Sequence, residues 1–372
     1  MKQETRWVKF RSLTQVIHLW LGLIGGIFIF VICLTGTIYT FSDEIKKGLN
    51  PDIFTVDANG AQPKSIDALV HPKATNSIVV ADDPTAPYQI NNKDKENKEN
   101  RRGINMYINP YTGEELAKAN DVKGSEFFSV MFKMHRWLLL DQKIGRPIVG
   151  VATILFGIGC LTGLIIWFPR KIKNYKQGLK IKTGNWKRLN HDLHNSLGFY
   201  SFIFLLVMTL TGLTWSFEWY KNGLNNMLGV DPKAKPKQIS VEEAENKISL
   251  DSVYHIASTY FNYEGNTRIS LGRKPTDPIT VTKIGTGFWA PSFSDQVFIN
   301  PYNGEIIETR KFSDKTFGEK ISTSFKALHI GDIYGTGTKI IYFISCLIAT
   351  SLPITGTIIW WNSLKKKKKR KA

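Results

Sequence analysis

Four stretches of the chain are almost free of charge. Residues 16–41 contain one group that titrates near neutrality, His18, and residues 148–168, 195–217 and 340–361 contain none. Each exceeds the ~20 apolar residues that cross a hydrocarbon layer of about 30 Å. A soluble helix of this length would keep a charged face, and these keep none. The pattern predicts four membrane-spanning helices at 16–41, 146–168, 194–217 and 339–361. The two long segments between spans, 42–145 and 218–338, read differently. Residues 239–248 have helical spacing, whereas 267–271, 278–283 and 296–300 alternate and predict strands. Asn-Pro-Tyr-x-Gly-Glu, at 109–114 and 300–305, predicts tight turns closing hairpins. Each long segment is therefore expected to form a small α+β module. Residues 91–102, polar and charged, read as a flexible insertion.

The chain is also written twice. His18-Leu19-Trp20-Leu21-Gly22 heads the first span and His194-Asn195-Ser196-Leu197-Gly198 the third. Sixteen residues after each histidine comes the same triplet, Leu34-Thr35-Gly36 and Leu210-Thr211-Gly212. A Gly-Leu-Asn follows each, ending at Asn50 and Asn225, and the Asn-Pro-Tyr turns match in the outer segments. Phe132-Lys133-Met134-His135 answers Phe325-Lys326-Ala327-Leu328-His329, and Thr162-Gly163 answers Thr355-Gly356. Each half reads as span, outer segment, histidine, span and basic segment. Both halves start on one side, which predicts parallel repeats about an axis along the membrane normal.

The net charge of +18 on 372 residues suggests a nucleic-acid partner until it is placed on the chain. The arm 1–15 carries +3, residues 170–190 carry +8 and the tail after Leu364 carries +7, so the remainder balances to zero. An even number of crossings puts these three segments on one side. Lys and Arg excess in short flanking segments marks the cytoplasmic face, so both termini and the loop 169–193 are expected inside, with the tail 362–372. Anionic lipid is the expected partner of this basic surface, and no nucleic acid is expected. The first span lacks a small-residue cleavage site and reads as a retained anchor. Cys33, Cys160 and Cys346 all lie in spans, so they read as packing residues and the outer segments have no disulfide framework.

Repeat symmetry orders the histidines. His18 and His194 hold equivalent places at the inner ends of spans one and three, and His135 and His329 lie just outside spans two and four. A two-fold axis makes each set a facing pair. Paired imidazoles on neighbouring helices suit the two axial positions of a haem iron. Gly22, Gly25, Gly26 and Gly198 fit either helix packing or the approach of a flat ring. Zinc would want three or four convergent ligands, and proton relays usually add buried carboxylates, which the spans lack. His191, one turn before His194, reads as a secondary haem contact or a donor-docking residue, while His71 and His255 read as surface residues.

The pattern of His18 with Trp20-Leu21-Gly22, His135-Arg136, His191-Asp192-x-His194 and Leu328-His329-x-Gly331 resembles the PepSY-associated transmembrane family over essentially the whole chain. Ser240-Val241-Glu242-Glu243-Ala244 is similar to the helix start of a PepSY module. The resemblance implies a bacterial inner-membrane protein holding two haem b groups. It further implies electron transfer to an outer iron chelate such as a ferric siderophore, which would make the chain a transmembrane ferric-chelate reductase. Phe288, Trp289 and Tyr302 would line the chelate site or, equally, pack the module core. The inner segments are too short for a flavin or nicotinamide domain, so the expected donor is a separate cytoplasmic reductase or quinol. Two rival readings stand beside this one. One is a non-redox PepSY protein binding a peptide, protease or metal chelate, and the other a metal or proton transporter.

Overall fold

The computed structural model describes residues 6–371 except 72, 95–99, 101–102, 170–174, 235–237 and 287–291, and for 367–371 the helix path alone. The first half runs α1 (Arg6–Tyr39), α2 (Ser42–Leu49), α3 (Pro51–Phe54), α4 (Ile66–Leu69), β1 (Thr75–Val80), β2 (Tyr88–Asn92), β3 (Ile104–Ile108), β4 (Glu115–Lys118), α5 (Ser125–Trp137), α6 (Gln142–Trp167) and α7 (Tyr175–Gly178). The second runs α8 (Trp186–Asp192), a π-helical turn (Leu193–Leu197), α9 (Gly198–Ser216), α10 (Glu218–Met227), α11 (Leu250–Tyr260), β5 (Thr267–Ser270), β6 (Ile279–Ile284), β7 (Ser294–Ile299), β8 (Ile306–Arg310), α12 (Phe317–Thr323), α13 (Phe325–Ile330) and α14 (Thr336–Lys371).

Among the described residues, four helices are long and apolar enough to cross a membrane: α1, α6, the continuous helix Trp186–Ser216, and α14. At 1.5 Å per residue the 34-residue α1 reaches about 51 Å, well beyond the hydrocarbon thickness. The apolar runs therefore do not mark the helix ends. Strong helix formers in the basic tail let α14 continue to Lys371. Each of α1 and α9 packs on both α6 and α14, so α1 and α9 stand on one diagonal of a four-helix bundle. Ile29, Cys33, Leu205 and Ala349 fill its centre, with Phe156, Cys160, Met208, Cys346 and Leu352 against them. The outer faces remain apolar: Ile24 is 63 %, Ile27 70 % and Ile203 55 % exposed. Faces this apolar are compatible with lipid and not with water.

The two long segments between spans do not stand apart. Each supplies a four-stranded antiparallel meander, and β1 pairs with β5 to give one eight-stranded sheet of order β4-β3-β2-β1-β5-β6-β7-β8. Alternation places Ile78, Ile90, Ile269, Val281 and Val297 on one face, each at most 1 % exposed. The helices α4 and α11 cover that face, with Val253 and Ala257 buried in the same core. The Asp251 carboxylate of α11 accepts from the Ile66 amide at 2.9 Å and from the Ser65 hydroxyl, tying one segment to the other. The predicted strands lie at β5, β6 and β7, and the Asn-Pro-Tyr turns close β3–β4 and β7–β8. Asn109 and Asn300 each accept from the amide two residues on, at 2.9 Å.

The expected helix at 239–248 does not form. That segment has no regular structure, and the helix begins at Leu250, where the Ser249 hydroxyl accepts from the Ser252 amide. The Val241 and Ile248 amides are used instead by the carbonyls of Thr276 and Pro301, so backbone pairing to the sheet loops overrides local spacing. The proposed insertion 91–102 is shorter than expected, because Asn91 and Asn92 belong to β2; most of the rest lies outside the described residues.

Candidate functional site: two facing histidine pairs

The bundle brings His18 on α1 to His194 on the π-helical turn, with ring centres 6.3 Å apart. At the end that carries the sheet, His135 on α5 meets His329 on α13 at 6.2 Å. Neither His135 nor His329 lies on a spanning helix. Both α5 and α13 are short helices that leave the sheet and pack onto the bundle, α5 on α1 and α13 on α9. They are held there by the two Gly-Leu-Asn asparagines. Asn50, 1 % exposed, accepts from the Lys123 amide at 3.0 Å and donates to the Lys46 and Lys123 carbonyls. Buried Asn225 accepts from Ser322 at 2.8 Å. Each asparagine thus ties the exit of one span to the approach of a histidine at the sheet end.

Every ring is anchored through Nδ1. His135 donates to the Ile32 carbonyl at 2.8 Å, His18 to the Gly159 carbonyl at 3.1 Å, and His329 to the Met208 carbonyl at 2.9 Å. Threonine oxygens supplement these: Thr162 lies 3.0 Å from His18 Nδ1, Thr211 3.1 Å from His329 and Thr355 2.9 Å from His194. Each of these threonines donates its own proton to a carbonyl of its helix, so its oxygen accepts from the imidazole. The network assigns Nδ1–H to all four rings. That tautomer leaves the Nε2 lone pair available, which is how a second shell prepares a metal-binding histidine.

The glycine after each threonine receives the ring. A Cβ at Gly36 would stand 3.0 Å from His135, at Gly163 3.2 Å from His18, at Gly212 3.1 Å from His329, and at Gly356 3.1 Å from His194. Four Thr-Gly pairs, one per span, are thus four histidine cradles. Sequence comparison finds these pairs as repeat markers, but their function needs the pairing of spans. Of the glycines singled out in sequence, Gly22, Gly26 and Gly198 line the cavity around His18 and His194, whereas Gly25 faces Leu155 and Ile29.

That cavity measures ≈ 620 Å³ and is walled by Leu19, Phe156, Leu164, Trp167 and Phe199 among others. This size suits a cofactor-scale ligand. His191 stands at its edge, about half exposed, with Nδ1 3.4 Å from Asp192. Asp192 is itself buried and bonded to Arg188 at 2.8 Å. Around the sheet-end pair, Trp215 lies edge-on 5.2 Å from His329, and the Arg136 guanidinium stands among Phe132, Trp137 and Trp215.

Of the aromatics expected near a substrate, Phe288 and Trp289 lie outside the described residues. Tyr302 donates its hydroxyl to the Pro275 carbonyl at 3.0 Å, as Tyr111 does to Pro84 at 2.8 Å, so both tyrosines brace their turns. His71 and His255 are exposed. Among the described residues no group of three or more His, Cys, Asp or Glu side chains converges, and each histidine site is a pair.

Fold and site together define a four-helix membrane protein with one facing histidine pair towards each end of its bundle. The chain belongs to the PepSY-associated TM region family, whose model matches residues 15–363. Among curated proteins no match is found.

Proposed function

We propose that the chain is a two-haem b reductase of the bacterial inner membrane. It would take electrons from a separate cytoplasmic reductase or from quinol and deliver them to a ferric chelate, such as a ferric siderophore, bound outside. The carrying observation is the pair separation. One metal ion held by two imidazole nitrogens at about 2.0 Å each leaves ring centres about 6.2 Å apart, and both pairs stand at this distance. The Nδ1 anchors and the glycine cradles fit the same assignment, in which His18 and His194 would hold the inner haem and His135 and His329 the outer one. A haem at each pair would supply two one-electron sites, bridging a layer that ions do not cheaply cross.

The residues do the rest. Threonines and carbonyls orient the rings, Phe156, Leu205 and Ile29 keep water from the space between the sites, and His191 at the inner cavity edge would face the donor. Both sites read as parts of parallel repeats, with the sheet as two fused PepSY-like modules outside and the basic segments against anionic lipid inside. Reducing Fe(III) to Fe(II) lowers the ion's attraction to anionic oxygens, and the chelate loosens.

The test is an absorbance spectrum of purified protein from haem-replete cells, oxidised and dithionite-reduced, with haem counted per chain. Two haems with sharp reduced bands, together with reoxidation by a ferric chelate, are expected. A colourless protein would overturn the reading.

A further inference from the structure

The first span of each repeat is followed at once by a short helix at the sheet end, α2 after α1 and α10 after α9. Both helices wear their polarity inside out. On α10, Trp219, Gly223 and Met227 recur every fourth residue and share one face. That face is bare: Trp219 is 67 % and Met227 86 % exposed, the latter more than any other large apolar side chain among the described residues. The face turned to the protein carries Asn225, which is buried and accepts from Ser322. On α2, Ile45 and Leu49 are exposed, whereas Ser42 is buried, as is Asn50 at the helix end. A helix on a water-facing surface does the reverse and buries its apolar stripe.

The first turn of α12 adds to the α10 face. Gly318 packs so closely on the Leu228 carbonyl that a Cβ there would have no room. Phe317, the residue before it, is 71 % exposed, so a second large apolar side chain stands bare beside the end of α10. A capping box of Thr316 and Glu319 fixes the start of α12, and with it the place of Phe317. In the first repeat Gly124 takes the equivalent part, where a Cβ would meet Leu49 Cδ1 at 3.6 Å, and Phe127 just beyond it is exposed. The height of these helices follows from α1. His18 and Gly36, the cradle of His135, lie eighteen residues apart on that helix, a rise of about 27 Å. The hydrocarbon layer is about 30 Å thick, so the two histidine pairs stand near its two faces. Both α2 and α10 leave their spans just beyond the sheet-end pair, at the depth of the lipid headgroups.

We infer that α10 with Phe317, and α2 with Phe127, are lipid anchors. They lie in the interface of the leaflet at the sheet end, with Trp219, Met227, Phe317 and Leu49 inserted among the acyl chains. The bare faces follow directly on spans whose outward faces are already apolar, and they recur in both repeats. They also stand at the height where tryptophan gathers and where amphipathic helices sink about 5–10 Å into the headgroup boundary. Asn50 ties the end of α2 to Lys123, just before α5, and Asn225 ties α10 to Ser322, just before α13. The anchors therefore set the depth of the two short helices that carry His135 and His329. This role is the same whether or not the histidines hold haem.

The experiment attaches a small fluorophore to one added cysteine at a time, Leu49→Cys, Met227→Cys or Phe317→Cys, in the full chain reconstituted into phosphatidylcholine vesicles. All three side chains are exposed, so the substitutions leave the core untouched. Lys221→Cys, exposed on the other side of α10, is the reference, and labelled wild type gives the background from the three native cysteines. Phospholipid brominated along its tails quenches by contact within the bilayer, and iodide on both sides of the membrane quenches from water. The three apolar positions are expected to lose most of their emission in brominated lipid and to resist iodide, while Lys221→Cys responds to iodide. Iodide quenching at Met227→Cys and Phe317→Cys as strong as at Lys221→Cys, without quenching by brominated lipid, would overturn the inference and leave that face open to a soluble partner. Lipid quenching confined to one repeat would overturn the paired anchoring.

Discussion

The glycine cradles give the sharpest prediction, because a single methyl group should act on one site and spare the other. In Gly36→Ala the new Cβ would meet His135 Cε1 and Nδ1 at 3.0 Å. Carbon contacts are most favourable at about 3.5–4.0 Å, so the ring must move by about 0.5–1 Å. That displacement strains the 2.8 Å bond from His135 Nδ1 to the Ile32 carbonyl. Overpacking costs about 1–3 kcal/mol, and the weakened hydrogen bond about 1 kcal/mol more. A binding site tolerates errors of about 0.5 Å, and each 1.4 kcal/mol is tenfold in affinity. On the proposed function, haem at the His135–His329 pair should therefore bind about 30–700-fold more weakly, while the His18–His194 pair keeps its haem. Gly337→Ala is the control, since a Cβ there meets nothing within 4 Å and Gly337 is exposed and away from the inner cavity. The assay is haem per chain under haem-limited expression, with reduced-minus-oxidised spectra assigning the component lost. Full and spectrally unchanged haem content in Gly36→Ala would refute the cradle argument. So would a Gly337→Ala variant as damaged as Gly36→Ala.

Other outcomes follow from the same contacts. Thr355→Val removes the hydroxyl that accepts from His194 and should cost about tenfold in inner-site affinity. Thr162→Val should do less, because His18 keeps the Gly159 carbonyl, and haem titration of the two variants gives the order. Asn50→Ala leaves the Lys123 amide without its acceptor in a buried place and should cost about 2–4 kcal/mol, read as a lower Tm in detergent. Burial pushes the Asp332 carboxyl up to about 6. The folded form thus holds its proton above the pH at which the unfolded chain releases it, and stability falls as pH rises from about 4 to 6. Asp332→Asn should match wild type below pH 4 and exceed it at pH 7 by about 1–2 kcal/mol, a discounted figure for a partly exposed group; thermal unfolding across pH 4–8 decides. Tyr302→Phe and Tyr111→Phe should each lose about 1 kcal/mol through their turn bonds and, on the proposed function, leave chelate reduction unchanged. Loss of reduction in Tyr302→Phe alone would make that ring part of the substrate site.

Much of this molecule is set by sequence alone, wherever a property follows from composition or local period. Four charge-free runs fix four helices because a chain with no water to bond must satisfy its backbone within the helix. Alternation fixed β5, β6 and β7 to within a residue or two, since period two is unambiguous where one face is buried. The repeat between the two halves is enough to pair His18 with His194 and His135 with His329.

Tertiary structure decided what depends on contacts between segments distant in sequence. The helical spacing at 239–248 lost to backbone bonds with the loops at Thr276 and Pro301, which no local window contains. The join between β1 and β5 makes one sheet of two segments, and nothing within either strand announces it. The Thr-Gly pairs are visible in sequence as a repeat but not as cradles, because each serves a histidine about a hundred residues or more away, as Gly36 does His135. Arg136 stands out in sequence as the neighbour of His135, but its surroundings do not. Its place beside the outer pair exists because α9 carries Trp215 to it across the bundle. Hydropathy and period act along the chain and can be read from it; ring orientation, hydrogen-bond partners and fixed charge act through space and appear only once the bundle has closed.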